Sequence, residues 1–217
     1  TRRIVVDTGL GNDKEGRKVP TWNSRTEPFL EKMTAAGFPP DSIDTVLCTH
    51  LHVDHGGWNT RLVGGKWVPT VTNARYVFGK IEYDYWAAHS DSDEHKAVFD
   101  DSVRPVVEAG RVDLVASDQK LSDEITLIPT PGHSPGHMSV HIVSEGETAL
   151  LTGDVAHHPC QMAHLDWSST ADFDPVQSAA TRRELCSRFA DTATLVIGGH
   201  FNAGHIRRDG DAFEFIV

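Results

Sequence analysis

Thr49-His50-Leu51-His52-Val53-Asp54-His55-Gly56-Gly57 is the stretch on which both fold and chemistry turn. It follows an apolar run over residues 43–48 and ends in Gly-Gly, so it reads as the loop leaving a strand. In extended backbone the side chains alternate, which sends His50, His52 and Asp54 to one side. On a helix the same spacing would splay neighbouring members by about 200°. The pattern is therefore unlike a helical HExxH pair, whose histidines stand one turn apart. With His55 at the turn, four donors fall within six residues. Imidazole nitrogen and carboxylate oxygen are the atoms that zinc and similar divalent ions take.

Three further His or Asp positions stand where an apolar run meets glycine. Pro131-Gly132-His133 follows residues 125–129, Gly153-Asp154 follows Ala149-Leu150-Leu151, and Gly198-Gly199-His200 follows Leu195-Val196-Ile197. Each alone is an ordinary turn. Strand ends that open into Gly turns can deliver side chains to a shared crevice while the strands stay in the core. Together the positions supply seven donors, enough for two metal ions with room for water.

The rest of the chain bounds the answer. At 217 residues it can bury one sizeable core. The balance of 20 Lys+Arg against 31 Asp+Glu, formally −11, argues against a nucleic-acid partner, which needs a basic stripe. No apolar run approaches the roughly 18 residues of a membrane span. Cys48, Cys160 and Cys186 form no CxxC pair and are odd in number, which points away from a disulfide framework. With no targeting segment in view, a cytoplasmic location is the expectation.

Residues 4–6 read as a strand closed by Asp7-Thr8-Gly9, and residues 27–33 as a helix with Pro28 in its first turn. Helices are predicted over 81–88 and 93–107, the second broken at Pro105. Short strands are predicted at 43–48, 74–78, 112–115, 125–129, 138–143, 148–152, 195–197 and 212–217. A helix over 175–189 would turn Val176, Ala179, Ala180, Leu185 and Phe189 to the core. Mixed elements without a repeat imply one α/β domain over residues 1–217.

The ordered set His50, His52, Asp54, His55, His133, Asp154 and His200, with Asp7-Thr8-Gly9 ahead of it, resembles the metallo-β-lactamase superfamily signature over nearly the whole chain. The resemblance implies an αββα sandwich, with the strands that members carry before the Asp-Thr-Gly strand either trimmed from the sheet or lying ahead of residue 1. It implies two divalent metal ions, zinc first, with Mn, Co or Fe accepted by the same donors. His50, His52 and His133 would hold one ion, Asp54, His55 and His200 the other, and Asp154 would bridge them. The best-known zinc β-lactamases place Cys where this chain has Asp154. Residues 6–13, 48–55 and 200–205 are similar to the N-acyl homoserine lactonase and methyl parathion hydrolase branch. Lactonases of that branch carry Tyr three residues after the bridging Asp, where this chain has His157.

The implied activity is metal-dependent hydrolysis, a metal-bridging hydroxide attacking an ester or lactone carbonyl. An organophosphate triester hydrolase and a non-catalytic metal-binding domain are the rival readings. Asp54 has a second oxygen to orient the nucleophile or carry its proton. His157 stands either as a hydrogen-bond donor to the oxyanion or leaving group, or as a supporting loop residue. Trp58, Trp22, Trp86 and His158 are candidates for contacting substrate, and Asp7 for hydrogen-bonding a ligand. His137 and His141 read as sheet or supporting residues. The expected partner is a small ester or lactone, with no nucleic acid or membrane, and the resemblance adds a possible homodimer.

Overall fold

The structure, a computed structural model, describes residues 2–89 and 92–217. They fall into two compact units that meet in sequence at Val115–Ala116.

The first unit contains β1 (Ile4–Val6), α1 (Phe29–Ala35), β2 (Thr45–Leu47), β3 (Thr60–Val63), β4 (Lys66–Pro69), β5 (Arg75–Gly79), α2 (Lys80–Ala88), α3 (Asp93–Val98), α4 (Arg104–Glu108) and β6 (Val112–Val115). Its main sheet is parallel throughout, in the order β1-β2-β5-β6. Val46, Tyr76 and Phe78 from its central strands pack with Trp86, Phe99, Val103 and Val106 in a buried core. β2 was visible in sequence as the short apolar stretch Val46-Leu47-Cys48 that leads into the donor loop.

Two features depart from the sequence reading. The hairpin β3–β4 was not anticipated, although its turn carries a signal: Gly64 and Gly65 both take positive φ, +57° and +76°, as a two-residue hairpin turn with matching twist requires. The helix expected over 93–107 is interrupted ahead of Pro105, by a wider π turn over Phe99–Val103 in which Arg104 N–H reaches back to Phe99 O. Proline has no N–H to give the carbonyl four residues earlier. That carbonyl, on Asp101, instead accepts from Lys14 Nζ at 3.0 Å and from the Thr60 hydroxyl.

The second unit contains β7 (Ile125–Pro129), β8 (Met138–Ser144), β9 (Glu147–Gly153), α5 (Cys160–Ala163), α6 (Pro175–Phe189), β10 (Leu195–Gly198), β11 (His205–Asp209) and β12 (Ala212–Ile216). β7, β8 and β9 form an antiparallel meander, and β10 adds in parallel beside β9, so the order is β10-β9-β8-β7. α6 starts where Asp174 caps the N–H groups of Val176 and Gln177, with Pro175 at its first position. Its buried face differs from the expected one: Ser178, Arg182, Leu185, Cys186 and Phe189 point inward while Val176 is exposed. Arg182 can be buried because its guanidinium donates to three backbone carbonyls, Val155, Leu165 and Trp167, at 2.8 Å each. No helix among the described residues is long and apolar enough to cross a membrane.

Candidate metal centre

In the first unit the donor loop leaves the C-terminal end of β2, the end of a parallel sheet where ligands characteristically bind. It does not run extended as its spacing suggested. His55 N–H and Gly56 N–H both return to His52 O, so residues 52–56 close a turn. The turn still gathers the rings: the His50 centroid lies 4.6 Å from that of His52 and 4.0 Å from that of His55. Asp54 Oδ1 stands 3.7 Å from His55 Nε2.

Asp7, at the end of β1, organises this loop. Its Oδ1 accepts from Thr49 N–H at 2.7 Å, and its Oδ2 accepts from the Thr49 hydroxyl at 2.8 Å and from His55 Nδ1 at 2.9 Å. Having given its only proton to Asp7, Thr49 Oγ1 can only accept from His50 Nδ1, 3.1 Å away. Both Nδ1 atoms are thereby protonated, which puts the ring lone pair of His50 and of His55 on Nε2, the atom a cation would take. Asp7 takes a φ of +58°, in a region Asp tolerates better than most residues. The next loop is pinned just as closely: Gly57 N–H donates to Gly9 O at 2.7 Å, and a Cβ on Gly57 would meet Leu10 C at 2.0 Å.

In the second unit Asp154 follows β9, and three imidazoles face one of its oxygens. Nε2 of His200, His157 and His133 lies 3.1, 3.2 and 3.4 Å from Asp154 Oδ2. His133, Asp154 and His157 offer one donor atom each within 4.8 Å of one another. His133 Nδ1 donates to Asp172 Oδ1 at 3.0 Å, so its Nε2 also carries a lone pair. Burial alone would raise the Asp172 carboxyl. The hydrogen bonds from His133 and from Ser169 N–H outweigh it and hold the group below the usual carboxylate range. His137 accepts Asp154 N–H at Nε2 (3.0 Å), so it carries its proton on Nδ1 and donates to Thr130 Oγ1 at 2.8 Å. It positions the carboxylate from behind.

This donor set suits a divalent cation. Imidazole lone pairs and carboxylates gather in each unit, and the far nitrogens of His50, His55 and His133 are tied to acceptors, the pattern of ligating histidines. Asp172 was invisible in sequence, because it pairs with a His133 that stands 39 residues away, across β8, β9 and α5. Glu82 was missed as well: its Oε1 takes Leu51 N–H at 3.0 Å and Trp86 Nε1–H at 2.7 Å, bracing the donor loop from α2.

The structure distributes the candidate substrate residues unevenly. Trp86 is buried, edge-on to His52 at 5.5 Å, which makes it a support beneath the loop. Trp58 stacks on Phe29 at 5.2 Å and lines a cavity of about 270 Å³ that also carries Arg25 and Lys32. Trp22 is half-buried in the turn Pro20–Trp22. His158 is exposed, and its Nδ1 accepts Cys160 N–H at 3.2 Å.

The pattern of the metallo-beta-lactamase superfamily matches residues 1–200. The chain belongs to the metallo-β-lactamase superfamily. Among curated relatives, an N-acyl homoserine lactonase of Bacillus thuringiensis is 24% identical, covering 91% of this chain and 76% of its own length. The N-acyl homoserine lactonase AttM of Rhizobium johnstonii is 26% identical over 79% of this chain and 63% of its own. Among solved structures, the hydrolase AbOPH superposes with a TM-score of 0.81 at 23% identity, covering 98% of this chain and 74% of that one. AidC, a dizinc quorum-quenching lactonase in complex with a homoserine product, gives 0.77 at the same identity and coverage. The α/β fold of the superfamily is thus established, and the expectation of an enzyme, a metal-dependent hydrolase, holds.

Proposed function

We propose that the chain is a dinuclear metal-dependent hydrolase of esters or lactones. His50, His52 and His133 would hold one ion, Asp54, His55 and His200 the second, and Asp154 would join them. The two units are on this reading halves of one domain over 1–217, of which residues 1, 90 and 91 lie outside the described residues. The observation that carries the reading is the oriented imidazoles: Asp7 and Asp172 accept from the outer N–H groups of His55 and His133, while His133 turns its inner nitrogen to Asp154. Zinc is the metal proposed, since the neighbour AidC is described as dizinc and the donors are nitrogen and carboxylate oxygen.

When bound, such ions supply Lewis acidity, which polarises an acyl carbonyl and draws the pKa of water toward about 7. The chain's own residues supply the rest. Asp54 uses its second oxygen to orient the attacking water and take up its proton. His157 would hydrogen-bond the departing oxygen. Trp58 and Trp22 offer apolar surface to the organic part of the substrate, Trp86 steadies His52, and His158 sits at the edge of the same loop as His157. The partner is a small ester or lactone. A cytoplasmic enzyme suits three free cysteines, and a homodimer is proposed by likeness alone.

The test is a substrate panel of lactones, p-nitrophenyl esters, paraoxon-type triesters, thioesters and nitrocefin. It is run on metal-analysed protein with and without chelator. Chelator-sensitive turnover of lactones or esters, lost in His50→Ala and Asp54→Ala, is the expected result. Preference for triesters would move the assignment to phosphorus. No turnover by fully metallated protein would leave a metal-binding domain.

A further inference from the structure

We propose that His157 is an exchangeable ligand to the ion that His133 and Asp154 would hold. The inference rests on the metal-centre reading above and adds a donor that the superfamily resemblance does not assign. The first support is spacing. Ligand atoms about 2.0–2.2 Å from a common ion lie roughly 2.9–3.5 Å apart along the edges of a coordination polyhedron. Asp154 Oδ2 keeps 3.4 Å from His133 Nε2 and 3.2 Å from His157 Nε2, so His157 stands at ligand spacing as fully as His133 does. The His157 and His133 centroids are 4.8 Å apart, and the His157 ring stacks on His200 at 5.1 Å.

The second support is chemical. A phenol at this position is a hydrogen-bond donor with a weakly basic oxygen, whereas a neutral imidazole brings a lone pair that divalent metals prefer. The third support concerns exchange. His133 is locked by Asp172, but His157 Nδ1 is buried with no hydrogen-bond partner among the described residues. The backbone of the loop is nonetheless held: Gln161 Oε1, from α5, accepts His157 N–H at 2.7 Å and His158 N–H at 3.3 Å. With its backbone fixed and Nδ1 unbonded among the described residues, the ring is held through Asp154, His133 and His200, as befits a side chain that can bind, swing off and return.

The test uses purified protein loaded with Co²⁺, whose visible spectrum reports coordination number. Wild type is compared with His157→Gln, which keeps an N–H donor near Asp154, and with His157→Gly. Both variants should bind two ions. They should show a shifted and stronger visible band, and affinity for one ion should drop about tenfold, the low end of what supporting residues cost. Added imidazole should restore the wild-type spectrum in His157→Gly. Wild-type spectra and affinities in both folded variants, with only turnover reduced, would overturn the proposal and leave His157 a hydrogen-bond donor. Wild-type protein that takes up no Co²⁺ would sink the metal-centre reading itself, and this inference with it.

Discussion

Asp7→Asn is the most exacting test of the oriented-imidazole argument, because it changes one atom. The amide can keep its oxygen on Thr49 N–H, now 2.7 Å from Asp7 Oδ1. Its NH₂ then faces the Thr49 hydroxyl and His55 Nδ1, both of which donate to Asp7 Oδ2 in the native loop. Donor would meet donor. The escape is for His55 to move its proton to Nε2, which removes the lone pair needed for a cation, and for Thr49 to release its hold on His50. Loss of one such support typically costs 10–100-fold in metal affinity, about 1.4–2.7 kcal/mol. Two of the histidines proposed as ligands depend on Asp7, so the upper end is expected. Asn tolerates the +58° φ, so the folding cost is that of the disturbed charged hydrogen bonds, about 1.5–3 kcal/mol. For a chain of this size that corresponds to roughly 3–12 °C in Tm. Asp7→Ala would add about 1–2 kcal/mol for the left-handed backbone. Metal content after dialysis against graded chelator, beside calorimetry of the metal-free protein, separates the two effects. If Asp7→Asn retained both ions with native affinity, the tautomer argument would be wrong.

Asp172→Asn should weaken one ion by a similar 10–100-fold, read by the same chelator competition, since Asp172 does for His133 what Asp7 does for His55. Gly57→Ala should lower Tm and disturb metal uptake together, because its Cβ would strike the Leu10 backbone; overpacking of this kind costs about 1–3 kcal/mol or more. Lys14 gives a pH prediction. Burial lowers it from 10.5 to about 8, against the pull of Asp101 3.5 Å away. The unfolded chain therefore holds more protons between pH 8 and 10.5, and the Lys14 contribution to stability rises with pH across that window, by up to about 3 kcal/mol. The buried thiols of Cys48 and Cys186, pushed up by desolvation, act in the opposite direction. They act equally in both proteins, so the difference between wild type and Lys14→Met isolates the lysine. Denaturant unfolding at pH 7.5, 9 and 10.5 should show that difference moving in favour of wild type. A constant difference would refute the assignment.

Legibility followed the range of the interaction. β2 and the donors after it were readable because a buried strand announces itself as an apolar run and glycine marks its exit. The extended geometry assumed for His50 to Asp54 was wrong in form, since the N–H groups of His55 and Gly56 find the His52 carbonyl. The apolar face assigned to α6 was right at Leu185 and Phe189 and wrong at Val176, which is exposed. Periodicity ranks Arg182 as polar, yet three carbonyls waiting in the interior satisfy its guanidinium. The Gly64-Gly65 hairpin was legible and was passed over.

Residue chemistry and order along the chain were enough to name candidate donors, the superfamily they resemble and the kind of ion they would suit, because ligand atoms and strand-end glycines are local properties. Which nitrogen of each imidazole faces inward was decided only in three dimensions. Asp7 reaches His55 across 48 residues and Asp172 reaches His133 across 39, and no local preference encodes a hydrogen bond between segments that distant.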